Sequence, residues 1–313
     1  MKLNNVALVP SNNGYGHLRR LSSLIPALTE YNFKVSLLWD ERITFPRHIF
    51  GRSLPFELEL IKTPLYLDGP FVRSNAEYSF KLLEEVMSKY LFVISDTVTW
   101  PAKVHKRTIF LAQFFWEMYY SEIDSQSEYW RKAILSIPNT NLIYTMEHFS
   151  WLESSSYINL RQIPILDYWN LRQRTEVNGG DLVKLSSGTN QSNMINSSVK
   201  ELNFKDDIKH IPGMENYVEG ARKKPLGVLC RAGLGAISES ISARSYCIFL
   251  PDDDYEIKKN STVAIELGVG FSYSAYLDKK QDFKNYLFEK RKKTNWPDVL
   301  SSGNLVDKII GEL

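Results

Sequence analysis

His17 closes the run Ser11-Asn12-Asn13-Gly14-Tyr15-Gly16-His17, which follows the apolar stretch Val6 to Pro10. After it, Leu18, Leu21, Leu24, Ile25 and Leu28 recur at helical spacing. The pattern reads as a strand, a glycine loop and a helix. Glycines in such a loop let the backbone turn sharply and come close to a ligand, and the first helical turn offers unpaired N–H groups to an anion. Gly14 and Gly16 are therefore candidate diphosphate contacts, although a tight turn explains the same spacing. His17 falls at the helix start and off the Leu18, Leu21, Ile25 face. The helix dipole there disfavours a charged ring, and a neutral imidazole suits a general base near pH 7. Capping or ordinary surface placement is the competing reading. The fingerprint of a dinucleotide site is incomplete, because Arg19 stands where the last glycine would be and Asp40 follows the glycines by only about 24 residues.

A matching pattern occurs later. Leu226 to Cys230 leads into Arg231-Ala232-Gly233-Leu234-Gly235, and a helix then carries Ile237, Ser238, Glu239 and Ile241. Arg231 and Gly233 lie at this second strand-to-helix turn. A carboxylate at Glu239 is able to accept paired hydrogen bonds from the two hydroxyls of a ribose; a solvated helix residue is the alternative. Asp252-Asp253-Asp254-Tyr255-Glu256 is acidic enough to suggest a divalent cation, but consecutive side chains diverge and the EF-hand spacing is missing, so no metal site is expected.

The elements that must hold these residues follow from the apolar runs. Phe33 to Trp39, Leu91–Ser95, Thr108–Ala112 and Asn141–Thr145 read as strands separated by helical or polar stretches. Ile163 to Leu166 closes this first α/β pattern, and the polar stretch Asp167 to Gly180 is expected to link two domains. The second half restarts with Leu182–Leu185, a polar loop at Ser186 to Ser192 and a helix carrying Met194, Ile195, Val199 and Leu202, followed by strands at Ile208–Pro212, Leu226–Cys230, Cys247–Leu250 and Val269–Tyr273. The division expected is a first domain over 1–166, a linker over 167–180, a second domain over 181–300, and a terminal helix over 301–313 crossing back onto the first domain. Asp278 to Lys293 reads as a charged surface helix.

Composition narrows the function classes. The 313 residues are 43% hydrophobic and 24% charged, which supports real cores and excludes a mainly disordered chain. There are 38 basic against 36 acidic residues, and a cut at residue 177 leaves 19 against 18 on each side, so neither half looks like a nucleic-acid platform. Lys290 to Lys293 reads as a solvated helix end. Cys230 and Cys247 sit in apolar runs without metal or disulfide spacing and are read as reduced core thiols. With no signal-peptide pattern at the start and no 18-residue apolar window, the expectation is a cytoplasmic protein, with peripheral contact at the inner membrane face left open. The aromatic run Phe114 to Tyr120 fits an acceptor wall, a membrane contact or a core segment.

Taken in order, several segments resemble the motifs of the two-domain glycosyltransferase fold called GT-B, in particular the group of the MurG N-acetylglucosaminyltransferase, and also the PseG nucleotide-sugar hydrolases. They are Gly14-Tyr15-Gly16-His17 with Arg20, Cys230-Arg231-Ala232-Gly233, Glu239, Phe249-Leu250-Pro251, Asp254-Tyr255-Glu256, Asn260 and Ile265 to Gly270. The resemblance implies an α/β chain of two doubly wound Rossmann-like domains facing a central cleft. It implies inverting, metal-independent transfer of a sugar from a nucleoside diphosphate donor, UDP-linked, to a glycan or lipid-linked acceptor, with no cofactor and no nucleic acid. If water is the acceptor, the same constellation makes a hydrolase, and without turnover it makes a nucleotide-sugar-binding protein. By the same resemblance His17 is the base, Asp96 lies near the acceptor, Gly14 and Gly16 face the diphosphate, and Glu239 binds ribose. Ser187, Gly188 and Thr189 approach the phosphates, and Arg231 and Gly233 flank the nucleotide. Two departures stand out: Ser186 to Asn190 replaces a glycine pair, and Glu256 replaces a glutamine that touches the donor sugar. A glutamate has no amide N–H to donate, so the donor's identity is open.

Overall fold

The computed structural model describes residues 4–12, 15–50, 54–68, 71–74, 80–123, 140–167, 182–185, 208–211, 225–279 and 282–313. The chain forms two compact units, Met1–Pro164 with Ser302–Leu313, and Ile165–Ser301.

The first unit is built on β1 (Asn5–Val9), β2 (Lys34–Asp40), β3 (Glu57–Ile61), the strands β4 (Leu65–Asp68) and β5 (Phe71–Ser74), then β6 (Phe92–Ser95), β7 (Thr108–Leu111), β8 (Leu142–Met146) and β9 (Leu160–Ile163). Seven of these form one parallel sheet in the order β3-β2-β1-β6-β7-β8-β9, while β4 and β5 pair antiparallel with each other. The helices are α1 (Tyr15–Ser22), α2 (Ile25–Glu30), α3 (Phe80–Met87), α4 (Pro101–Val104) and α5 (Trp116–Ile123). After Lys34 every residue of β2 is buried, and the packing partners alternate between its two faces. Leu38 packs with Ala7, Val9, Leu83, Met87 and Val93, whereas Leu37 and Trp39 pack with Leu18. This is why β6 and β7 are apolar or small throughout and wholly buried, as parallel strands between helix layers are. The chain builds outward from β1 to β3 and then returns to the other side of β1. The strand order therefore reverses between β1 and β6, the point at which ligands bind in open α/β sheets, beyond the carboxyl ends of the strands.

The second unit repeats the plan on a smaller sheet. β11 (Leu182–Leu185), β12 (Ile208–Ile211), β13 (Gly227–Cys230), β14 (Tyr246–Phe249) and β15 (Gly270–Ser272) are all parallel in the order β12-β11-β13-β14-β15. Its order reverses between β11 and β13. Its helices include α6 (Leu234–Ser242), α7 (Tyr255–Glu266), α8 (Tyr273–Asp278) and α9 (Phe283–Lys293). A short parallel pair joins β10 (Ile165–Asp167) to β16 (Val299–Ser301).

Two differences from the sequence reading concern this framework. Asp167, placed at the start of the linker, instead closes β10 and is buried, because its strand finds a partner more than 130 residues away. The rest of the linker, and the helix read at Met194 to Leu202, lie outside the described residues. The surface helix read over Asp278 to Lys293 begins at Phe283 as α9 and buries Phe283 and Leu287, while Asp278 ends the separate helix α8. The chain ends in α10 (Ser302–Gly311), which packs against α2 and buries Leu305, Val306 and Ile309.

Candidate active site

His17 stands in the first turn of α1, which starts just beyond the carboxyl end of β1. Three residues on, one helical turn away, is Arg20, so the two side chains share a face of α1. Asp96 is the first residue after β6, and its N–H donates to the Val9 carbonyl at 2.9 Å, carrying the β1–β6 pairing one residue further. The switch point of the first sheet thus brings together side chains 79 positions apart in sequence. His17 Nδ1 is 2.9 Å from Asp96 Oδ1. Arg20 grips the same carboxylate twice, donating from Nε to Oδ2 at 2.6 Å and from Nη2 to Oδ1 at 2.7 Å. Such a fork is the strongest form of this contact.

The three groups are buried, with Asp96 at 0%, Arg20 at 4% and His17 at 8% exposure. For His17 this corrects the alternative of ordinary surface placement. The residue belongs to α1, and its ring packs on Trp116, whose indole meets it in a T-shaped contact with centroids 5.9 Å apart. Trp116 is itself fixed by donating from Nε1 to Ser11 Oγ at 2.8 Å. Gly16 is likewise inside α1, and a methyl group added to it meets nothing within 4 Å, so what it provides is an uncovered helix start rather than a turn. Gly14 lies outside the described residues.

Protonation follows from the partners. Burial pushes the Asp96 carboxyl up, but the Arg20 charge, the His17 charge and the hydrogen bonds from both outweigh it and hold the group below the ordinary carboxylate value. An ionised Asp96 accepts from Nδ1–H. Arg20 Nη2 also lies 3.0 Å from Nδ1, and in the tautomer that carries its proton on Nδ1 this guanidinium nitrogen donates to Asp96 Oδ1. The proton on Nδ1 leaves the lone pair on Nε2, which no described residue engages. A carboxylate fixing one imidazole nitrogen so that the other takes a proton is the arrangement of an acyl-transfer triad's base, here with an arginine added.

In the second unit, Arg231 follows β13, and Gly233 is the cap residue of α6. Added methyl groups at Gly233 and Gly235 meet nothing within 4 Å, leaving the backbone at the start of α6 uncovered. Arg231 is paired with Asp252 and lies 3.3 Å from Asp254. Burial works to lower its pKa, but the Asp252 bond and the charges of Asp252, Asp254 and Glu256 raise it. The acidic run therefore has protein partners: Asp252 also accepts from the Asp254 N–H at 2.9 Å, Asp254 caps α7 by accepting from Ile257 N–H at 3.2 Å, and Asp253 pairs with Lys258. Among the described residues no group of three His, Cys, Asp or Glu is arranged to hold a metal ion. Glu256 joins this cluster from the first turn of α7. Glu239 does not; it is 1% exposed in the middle of α6, and its charge bears on the buried Cys230 thiol. Ser187, Gly188 and Thr189 lie outside the described residues.

Asp40, the acidic residue at the end of β2, is fully buried and engaged by Arg42 and Thr63, so its carboxylate is occupied by the protein itself. The basic run at the end of α9 is also used locally: Lys290 lies over Phe271, Arg291 donates to the Ala243 carbonyl, and Lys292 pairs with Glu289. Among the described residues no helix is long and apolar enough to cross a membrane. Sequence reasoning missed Asp252 as the partner of Arg231, and it missed Thr97 and Ser11 around His17. Only the three-residue step from His17 to Arg20 is a local signal.

No family model and no curated protein sequence matches the chain. Solved structures do. MurG of Acinetobacter baumannii superposes with a TM-score of 0.60 at 11% identity over 98% of this chain and 99% of its own. The calicheamicin glycosyltransferase CalG4 gives 0.56 at 12% over the whole of both chains, and Arabidopsis thaliana UGT89C1 complexed with UDP-L-rhamnose gives 0.57 at 12% over 99% of each. The chain has the GT-B fold of these glycosyltransferases, two Rossmann-like α/β units in tandem.

Proposed function

We propose that the protein is a glycosyltransferase that moves a sugar, with inversion, from a nucleoside diphosphate donor to a hydroxyl acceptor. The observation that carries this reading is the buried His17, Asp96 and Arg20 group at the switch point of the first sheet, with Nε2 of His17 left to act. In this scheme Asp96 holds the ring by Nδ1 while Nε2 takes the proton of the acceptor hydroxyl. The acceptor oxygen forms its bond to the anomeric carbon as the bond to the diphosphate breaks, from the opposite face. The departing diphosphate carries the electron pair away; the start of α6, at Gly233, is the diphosphate contact we assign to the second unit. Arg231, held by Asp252 and Asp254, orients that turn. The scheme routes no step through a metal ion.

UDP is the nucleotide we assign, and a glycan or lipid-linked hydroxyl the acceptor, with Ser187, Gly188 and Thr189 near the phosphates and Glu256 near the donor sugar. Glu239 is retained as the ribose ligand, on its place in the helix after Arg231-Ala232-Gly233. The decisive assay incubates UDP-, dTDP- and GDP-sugars alone and with glycan and lipid-linked acceptors, and identifies products by mass spectrometry. We expect nucleotide release that depends on acceptor, falling roughly 10²- to 10⁴-fold in H17A with nucleotide affinity kept. Equal release in water assigns the site to hydrolysis instead. An H17A protein as fast as wild type removes the mechanism.

A further inference from the structure

Glu117, next to Trp116 in α5, belongs to none of the steps above, yet it is 6% exposed and tied to the loop that carries Asp96. Thr99 Oγ1 donates to its Oε1 at 2.6 Å, and no described residue bonds its Oε2. The loop from Ser95 to Trp100 needs such support. Thr97 has φ 61, a left-handed conformation that a β-branched residue adopts only under strain, and its Oγ1 lies 3.5 Å from His17 Nδ1. Ser95 Oγ donates to the Val98 carbonyl, Thr97 Oγ1 to the Asp96 carbonyl, and Trp116 N–H to the Thr97 carbonyl. At its far end the loop runs into α4, where the Ala102 N–H donates to the Thr99 carbonyl at 3.2 Å and Glu117 holds the Thr99 side chain.

We propose that Glu117 is a positioning residue: by holding Thr99 it fixes the far end of the Ser95–Trp100 loop, and through that loop the place of Asp96 against His17. Its buried place disfavours the charged form. The oxygen without a partner would leave a carboxylate half unsatisfied in a buried place, whereas a protonated group asks for less. Burial raises its pKa, against the Thr99 bond, its own backbone N–H and the charge of Lys103 from α4, which lower it. Burial raises the pKa of the Tyr157 phenol, in the segment after β8, and an ionised Glu117 would raise it further. A group whose folded pKa is raised stabilises the fold fully below its unfolded value, and that contribution is lost as pH rises through the folded one.

The kinetic arm of the test rests on the transferase reading; two other arms do not. E117Q keeps an acceptor for Thr99 and is neutral at every pH, so kcat should stay within about twofold of wild type, while E117A should lose roughly ten- to a hundredfold in kcat with KM little changed. If E117A does not fold, T99V cuts the same tie from the other side and should lower kcat in the same way. The thermal midpoint of wild type should fall with rising pH more steeply than that of E117Q. The ring signal of His17 in NMR spectra, identified by its loss in H17A, should move in E117A and hold in E117Q. Wild-type kcat in folded E117A or T99V, parallel midpoint curves, or an unmoved His17 signal in E117A each overturns the proposal. If no nucleotide sugar is turned over by wild type, the transferase reading has failed and the midpoint and NMR arms still decide the role of Glu117.

Discussion

Asp96 has two tasks that a substitution can separate. It orients His17, and it neutralises a guanidinium that is only 4% exposed. Asp96→Asn keeps the shape and removes the charge, leaving Arg20 buried without its counter-ion, a change that costs about 3–5 kcal/mol when one partner of a buried pair is lost. Denaturant unfolding at neutral pH should show a loss of that order. Because the Asp96 pKa is lowered by folding, the stability it contributes is present above its unfolded value and lost as pH falls through the folded one. The gap between wild type and D96N should therefore narrow in acid. A constant gap from neutral pH downward would show that the carboxylate's charge is not what matters. Arg20 was joined to His17 through the family resemblance, although one helical turn is a local distance that the sequence displays. Asp96, 79 residues on, entered through the family resemblance as a residue near the acceptor and not as the partner of His17, and Trp116, which packs on the ring, comes from about a hundred residues away.

At the scale of elements, Gly268 shows how a single position ends a helix. Its φ is +72, its N–H donates to the Ile265 carbonyl, and the next residues enter β15. A side chain at that φ is strained whatever space surrounds it, so Gly268→Ala should cost about 1 kcal/mol in unfolding free energy with the fold kept. An unchanged or raised stability would mean that the turn is free to relax. Elements with continuous apolar runs, such as β1, β6, β7, β13 and β14, were legible because strands buried on both faces have no alternation to confuse. β3 was not: Glu57-Leu58-Glu59-Leu60-Ile61 lies at the sheet's edge, where half the side chains meet solvent and the run reads as polar. β10 and β16 have three residues each and exist only because they find one another, a pairing no local pattern announces. The break between α8 and α9 was hidden in the same way, since the charges of α9 mask the two buried positions, Phe283 and Leu287, that seat it.

For the whole molecule, the order of the chain and the membership of its units part company at the end. Residues 165–301 make one unit, and the last twelve return to the other. Serine pairs with serine where α10 begins, Ser302 Oγ donating to Ser23 Oγ at 2.8 Å; Tyr31 donates to Asp307 at 2.7 Å; and Glu312 meets Arg161 and Tyr144. The polar ties at Tyr31 and Glu312 are exposed or part-buried and hold register more than energy. Leu305, Val306 and Ile309 supply the energy, at about 1.5–3 kcal/mol for each such side chain fully removed from water. A chain ending at residue 301 should therefore lose stability in the first unit, although the deletion adjoins the second. Hydrogen exchange separates the two: protection should fall across α2, β1 and β2 and stay near wild type across β13 and β14. Loss confined to β13 and β14 would mean that α10 serves the unit it follows rather than the one it packs on. Loss across every strand would mean that the two units unfold as one, and then no stability measured on this chain belongs to either unit alone.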